Sequence, residues 1–370
     1  MAVRTVVLAG GGTGGHVYPA LSVGDAVRDR GHRVLYYGDP DRLEGRVVEP
    51  RGYTLRPVRA VGYPRSGVLG RIRFALALVG ATLRSARWLR KDGADVVLGV
   101  GGYVSAPTVL AAWLLGIPRI IHEANVAPGL ANRLCARVAS RILLTYEATA
   151  HRLPGRAPRE TVGCPVNPKV LEGDRASART RYGLSPDRPV LLVVGGSLGA
   201  ARLNDLALAA ARLPGRTFQV LHIAGPRYFA DVRAALDPVP EGVVLVDYEH
   251  RMADAYAAAD LVVCRAGSST LAEVTLLGRP TVLVPSPNVT DNHQEANARG
   301  LEAAGAALVM VERDLEPAQA LDRISSLLND ASTLEAMGRA ARALGRGDTA
   351  DHIADIVLAE AGEPAPRSPT

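Results

Sequence analysis

Lysine is nearly absent from this 370-residue chain. Of 43 basic side chains only Lys91 and Lys169 are lysine, so the net charge of +6 rests almost wholly on arginine. That mild positive balance suits phosphorylated substrates, an anionic membrane or nucleic acid, and does not choose among them. Cysteine is scarce too: Cys135, Cys164 and Cys264 are odd in number, far apart and free of C-x-x-C spacing. This speaks against a disulfide framework or a cysteine metal site and for a reducing compartment. Long apolar runs are missing. The longest, Phe74 to Leu83, is about half of a bilayer span, and no secretory signal pattern opens the chain. What remains is a globular balance, 48% hydrophobic and 22% charged, in a chain long enough for two domains.

One stretch organises the rest. Val6 to Ala9 is apolar and runs into Gly10-Gly-Gly-Thr-Gly-Gly15, followed by His16 and an apolar-periodic segment. This reads as a strand, a tight turn and a helix N-terminus, whose amides suit a diphosphate. Glycines let the backbone approach the anion and reach positive φ. The imidazole at the lip of the turn stands where a bound hydroxyl would lose its proton.

The pattern predicts strands over 3–9, 33–37, 52–57, 95–100, 119–122 and 141–145, with helices over 19–29, 71–91 and 108–115. Strands alternating with helices mean a parallel sheet covered on both faces. The pattern restarts near 163–175. A strand at 189–194 enters a second glycine-rich turn, Gly195 to Ala200, and strands follow at 219–223, 242–246, 261–264 and 281–285. Helices are expected over 324–344 and 349–361. The expected architecture is α/β, with domains over 1–163 and 164–345.

Each motif has a plain alternative. Gly10-x-Gly12-x-x-Gly15, with Asp39 and Asp41 after the second strand, formally matches a dinucleotide fingerprint. His16 and the second anion turn argue against NAD, and describe two doubly wound domains holding one ligand each. Ser197 adds a hydroxyl to the second turn, or simply caps a helix. Ser268, Ser269 and Thr270 are placed to cap the helix after Cys264, and Glu273 suits ribose hydroxyls or a capping box. Asp291-Asn-His-Gln-Glu295 suits sugar hydroxyls or is a polar loop. His122-Glu-Ala-Asn125 ends an apolar strand at an edge where ligands bind, and no third metal ligand stands near it. Residues 63–91 interleave Arg65, Arg71, Arg73, Arg84, Arg87 and Arg90 with Val68, Leu69, Ile72, Leu76, Leu83 and Trp88. That mixture suits an anionic bilayer surface, or a sheet-covering helix with a solvated face.

Seven motifs in order carry a resemblance: GGGTGGH at 10–16, GGYVSAP at 101–107, HEAN at 122–125, GCPV at 163–166, GGSLGA at 195–200, CRAGSSTLAE at 264–273 and DNHQEANA at 291–298. The chain resembles the MurG family, peptidoglycan glycosyltransferases that add N-acetylglucosamine (GlcNAc) from UDP-GlcNAc to lipid I, giving lipid II. The resemblance implies a two-domain GT-B fold with the donor on the second domain, the lipid acceptor on the first, and the last helix returned to the first domain. It implies His16 and Glu123 as catalytic candidates, with Gly12 and Tyr103 on the acceptor side. Thr13, Gly14, Gly15, Asn125, Asn167, Ser197, Tyr248, Glu249, Ser268, Ser269, Thr270, Glu273, His293 and Gln294 would serve the donor. Arg71, Arg73 and Trp88 would touch an anionic membrane.

The implied reaction inverts an α donor to a β-1,4 product, with His16 taking the proton and helix N-termini rather than a metal steadying the diphosphate. No cofactor and no nucleic acid are implied. The implied setting is the cytoplasmic side of a bacterial membrane, held peripherally, with other cell-wall synthesis proteins as neighbours. The chain departs from the family pattern at Ala124, where Gln is frequent, and at Cys164 and Asn167, where Asn and Arg are usual. Arg265 is the candidate for the missing cation. Competing readings are a UDP-sugar transferase with another acceptor, a UDP-GlcNAc 2-epimerase, an NAD oxidoreductase and a non-catalytic nucleotide-sugar binder.

Overall fold

A computed structural model describes residues 2–62, 67–289 and 292–362. Tyr63 and Arg65 of the expected membrane segment, Asp291 of the 291–295 loop and the residues after Gly362 lie outside the described residues. One compact unit runs to Asn167 and takes up the chain again from Gly347; the other is Pro168–Arg346.

In the first unit the elements run β1 (Thr5–Ala9), α1 (Gly14–Asp29), β2 (Arg33–Gly38), α2 (Leu43–Val47), β3 (Thr54–Pro57), α3 (Val68–Asp92), β4 (Val96–Gly99), α4 (Ser105–Leu114), β5 (Arg119–Glu123), α5 (Leu130–Cys135), β6 (Arg141–Leu144) and β7 (Arg159–Thr161). The second unit continues with α6 (Arg175–Tyr182), β8 (Val190–Val194), α7 (Ala201–Ala211), β9 (Gln219–Ile223), α8 (Phe229–Ala235), β10 (Val243–Val246), α9 (Met252–Ala258), β11 (Leu261–Cys264), α10 (Ser268–Leu276), β12 (Thr281–Leu283), α11 (His293–Ala303), β13 (Ala307–Val309), α12 (Pro317–Leu328) and α13 (Ala331–Leu344). The last helix, α14 (Thr349–Glu360), belongs to the first unit.

The first sheet is ordered β3-β2-β1-β4-β5-β6-β7 and the second β10-β9-β8-β11-β12-β13. All neighbours are parallel: Leu8 sits opposite Tyr36 and Leu98, and Val193 opposite His222 and Val263. The central strands are apolar runs because both faces are covered. Val6 and Leu8 of β1 pack with Val17 and Leu21 of α1 and with Ile353 and Val357 of α14; Val7 and Ala9 pack with Ala86 and Leu89 of α3 and Val109 of α4. Arg30 ties α1 to Asp351 and Asp355 of α14 at 2.9 and 3.0 Å. In the second unit Leu203 and Leu206 of α7 and Ile324 and Leu328 of α12 cover one face.

Strand order reverses between β1 and β4 in one sheet and between β8 and β11 in the other. Both glycine-rich turns therefore leave the carboxyl end of a strand at the switch point of its sheet, where open α/β sheets bind ligands. Several elements differ from expectation: α3 and α4 each start three residues early, at Val68 and Ser105. Helix α1 starts at Gly14, because Pro19 sits within its second turn rather than at its start. The expected 324–344 helix is two helices, broken where the Asp330 carboxylate caps α13 by accepting from the Thr333 N–H at 3.0 Å. Strands β7 and β13, three residues each, were not expected because so short a run carries no period.

Candidate functional site

In the first unit the turn after β1 is built for an anion. Thr13 takes extended φ/ψ as the N-cap of α1, and its carbonyl accepts the His16 and Val17 amides at 3.1 Å. The Gly14 and Gly15 amides open the helix with no intrahelical acceptor. Gly12, at φ +87°, supplies the left-handed bend that a side chain resists. Across the switch point, Gly102 lies so close to the Gly11 carbonyl that a methyl group there would overlap it. His16 is half-buried, with Nδ1 3.2 Å from both the Gly11 carbonyl and Thr13 Oγ1. Its Nε2 edge faces Gly101, where a Cβ would lie 3.0 Å away. The alternative ribose acid, Asp39, instead accepts from the Asp41 N–H at 3.2 Å and pairs with Arg42.

Strand β5 carries the next group. His122 donates from Nε2 to the Gly163 carbonyl at 2.8 Å, and burial drives its pKa down to about 4, with the neighbouring His16 adding to the fall. It is a neutral core histidine. Glu123 is 2% exposed, and both its oxygens are occupied. One accepts the Asn125 N–H and Nδ2 at 2.9 and 3.2 Å; the other accepts the Gly129 N–H and Asn132 Nδ2 at 3.1 and 2.9 Å. Burial raises its pKa against these donors. The Glu123 carboxylate thus ties Asn125, the 124–129 loop and Asn132 together. Asn132 was missed by sequence reasoning; its signal is a lone amide inside the apolar helix Leu130–Cys135. Tyr103 is half-exposed on the turn after β4, at the mouth of an apolar pocket lined by Val61, Phe74, Leu78, Leu130 and Leu134. Asn167 is half-buried at the end of this unit's first segment.

In the second unit Ser197 is exposed on the turn that feeds α7, with Gly196 and Gly199 at φ +89° and +78°. Gly199 packs on the Ala224 carbonyl with no room for a side chain. The loop after β11 leads into α10, whose N-cap is Gly267. Ser268, Ser269 and Thr270 are thus its first helical residues and not the expected caps. Ser269 Oγ is buried with no partner among the described residues. Glu273 stands one turn further and accepts from the Tyr256 hydroxyl at 2.8 Å. Burial lifts its carboxyl pKa to about 7, the Tyr256 bond holding it back.

After β10, Tyr248 packs edge-on to His250 with ring centroids 4.8 Å apart. Glu249 is buried and held by the Tyr182 hydroxyl at 2.5 Å, the Arg251 N–H at 2.6 Å and Arg181. Burial raises its pKa, but those donors outweigh it and the carboxyl ends below its ordinary value. Its side chain is thus committed to these partners. Gln294 fixes the β12 loop by accepting from the Ser286 N–H at 2.9 Å, and His293 opens α11 beside it. Arg265 bonds the Val284 carbonyl at 3.0 Å and pairs with Glu312, so it is held inside its own unit.

Helix α3 has two apolar faces. One, with Ala81, Ala86 and Leu89, is buried; the other exposes Leu69, Ile72, Leu76, Val79 and Leu83 at helical spacing, each more than half accessible. Arg71, Arg73, Arg84, Arg87 and Arg90 are exposed around it. Trp88 is half-buried with Arg56 and Lys91 stacked over its ring at 4.7 and 5.3 Å. Among the described residues no helix is long and apolar enough to cross a membrane.

Comparison with known proteins shows the family. Residues 6–144 match the glycosyltransferase family 28 N-terminal domain, and residues 190–353 the family 28 C-terminal domain. A Clavibacter michiganensis protein named UDP-N-acetylglucosamine–N-acetylmuramyl-(pentapeptide) pyrophosphoryl-undecaprenol N-acetylglucosamine transferase is 42% identical, over 95% of this chain and 95% of its own. A Salinibacter ruber protein of the same name is 41% identical, over 96% of each chain. The crystal structure of Acinetobacter baumannii MurG superposes with a TM-score of 0.77 at 30% identity, over 97% of this chain and all of that one.

Proposed function

The chain belongs to glycosyltransferase family 28, and we propose that its two switch-point turns divide the reaction, the first unit receiving the acceptor and the second the nucleotide sugar. The protein is an N-acetylglucosaminyltransferase of GT-B fold that uses UDP-GlcNAc and a lipid-linked N-acetylmuramyl peptide, the activity for which relatives about 40% identical along the chain are named. That activity sets aside the epimerase, oxidoreductase and binding-module readings.

The observation that supports the division is the pairing of each glycine-rich turn with its own polar set. In the second unit Ser197 and the α7 N-terminus suit the donor diphosphate, the backbone at Tyr248–Glu249 the uracil edge, and Glu273 the ribose hydroxyls. Ser268, Ser269 and Thr270 line the same helix start, and His293 and Gln294 suit GlcNAc hydroxyls. In the first unit Thr13, Gly14 and Gly15 offer amides to a diphosphate, with Gly12 and Tyr103 beside them, and Asn125 is held out by Glu123. Asn167 lacks the charge to replace the family arginine, and Arg265 is already paired, so the diphosphate relies on helix N-termini.

The acceptor C4 hydroxyl attacks C1 of GlcNAc. The new O–C1 bond forms as the C1–diphosphate bond breaks, UDP leaves, and His16 Nε2 takes the hydroxyl proton. Attack opposite the leaving group gives the β linkage. Charge developing on UDP meets the amides at the helix starts. NMR of the product anomeric centre, beside an acceptor lacking the C4 oxygen, tests this: a β-1,4 disaccharide and an inert deoxy acceptor support it, whereas turnover of the deoxy acceptor refutes it.

The exposed apolar stripe of α3, ringed by arginines, rests on the anionic face of the membrane that holds the lipid acceptor, and the protein acts there as a peripheral protein on the cytoplasmic side. The apolar pocket beside Tyr103 opens toward the same helix through Phe74 and Leu78.

A further inference from the structure

We propose that Glu44 is a positioning residue for His16, acting through the single Gly11–Gly12 peptide group that lies between them. The proposal rests on the reading of His16 as the base.

Glu44, on α2, is fully buried, and no cationic side chain pairs with it among the described residues. Its carboxylate lies against the glycine-rich turn. Oε2 accepts the Gly12 N–H at 3.2 Å, and Oε1 accepts the Asp39 N–H at 3.4 Å. A methyl group on Gly11 would overlap Oε1, and one on Gly38 would lie 3.1 Å from Glu44 Cβ and Cγ. Two glycines thus clear a place for a carboxylate directly beneath an anion-binding turn. Burying an unpaired charge is costly, and doing so beside a diphosphate site costs more.

The Gly12 N–H that Glu44 binds and the Gly11 carbonyl that His16 Nδ1 meets at 3.2 Å belong to one peptide group. In a trans peptide these two groups point to opposite sides, so the carboxylate sits on one side and the imidazole on the other. A carboxylate accepting the N–H pushes electron density toward the carbonyl oxygen and strengthens it as an acceptor. A carbonyl only accepts, so the bond to Gly11 takes Nδ1 as donor, and the Thr13 hydroxyl, also 3.2 Å from Nδ1, is then left to turn its proton elsewhere. The neutral ring is then held as the Nδ1–H tautomer, with its lone pair on Nε2, the edge that faces Gly101. Glu44 thereby does for His16, through one peptide, what a directly bonded carboxylate does for a catalytic histidine, and its charge stays away from the diphosphate. Because it takes up the Gly12 amide, the amides at Gly14 and Gly15 are left for the anion.

Nitrogen-15 NMR of histidine-labelled protein, with His16 assigned by difference against His16→Ala, reads the tautomer directly. The proposal expects a pyridine-type Nε2 and a protonated Nδ1 in the unliganded protein; a protonated Nε2 overturns it. Glu44→Gln keeps an oxygen for the Gly12 N–H but removes the charge. The expected result is a fall in kcat of about tenfold with the KM for UDP-GlcNAc and the melting temperature near wild type, and a shift toward the Nε2–H tautomer. A wild-type kcat in Glu44→Gln reduces Glu44 to a structural contact and overturns the proposal. Should that variant not fold, the wild-type tautomer still decides. If His16→Ala keeps its turnover the base reading fails, while the tautomer measurement continues to judge the link between Glu44 and His16.

Discussion

His16 in the first unit and Glu273 in the second carry the proposed roles of proton acceptor and ribose ligand. His16→Ala is expected to lower kcat by about 10²–10³-fold while leaving the melting temperature unchanged, because the ring is half-buried at a helix start rather than in the core. Stopped assays beside thermal melts check both halves. Glu273 carries a pH prediction. Its folded pKa of about 7 lies above the ordinary 4.5, so between those values the folded protein holds a proton that the unfolded chain releases. This contribution to stability is present below about pH 4.5 and is lost as pH rises through 7. Glu273→Gln should therefore raise the melting temperature at pH 8 by a few degrees, and much less at pH 5. Ribose hydroxyls need the ionised carboxylate, so the donor KM of the wild type should fall as pH rises from 6 to 8, and Glu273→Gln should lose that dependence. Residue types and order were legible in the motifs, but occupancy was not. That both oxygens of Glu123 are consumed by Asn125, Gly129 and Asn132 depends on a loop closing over six residues, which no spacing reveals.

Among the elements, α3 and α14 do the most that a local pattern only half discloses. The period of Leu69, Ile72, Leu76 and Leu83 was visible, but a helical period does not say which face meets the core. The buried face proves to be Ala81, Ser85, Ala86 and Leu89, mostly small residues that let α3 lie close, while Leu69, Ile72, Leu76 and Leu83 point outward. Replacing Leu69, Leu76 and Leu83 by serine should cut co-sedimentation with anionic vesicles several-fold and leave the fold unharmed, since exposed leucines add little to stability. Unchanged vesicle binding would remove the membrane role of this stripe. That Arg56 and Lys91 stack over the Trp88 ring was not legible, because Arg56 lies on a strand far from it in sequence. Helix α14 is a core element despite its place near the chain end. Ile353→Ala removes a side chain with no exposure and is expected to cost about 2–5 kcal/mol in chemical denaturation of the first unit.

Over the whole molecule, the alternation of strands and helices was legible to a large extent because each unit repeats one rule: a buried apolar strand, a glycine-rich turn, a helix. The same rule puts both turns at topological switch points, β1/β4 and β8/β11, where open α/β sheets bind ligands. The breaks at Asn329–Asp330 and the three-residue strands β7 and β13 were illegible because a cap and a short ladder are fixed by neighbours, not by period. The central claim is that this chain moves GlcNAc from UDP-GlcNAc to a lipid-linked muramyl peptide. The most direct measurement is UDP release from UDP-GlcNAc with and without a lipid I analogue, with the product weighed by mass spectrometry. The account predicts UDP only when the acceptor is present, and a product heavier than the acceptor by one GlcNAc residue. UDP release that ignores the acceptor, or donor binding with no disaccharide formed, would contradict it.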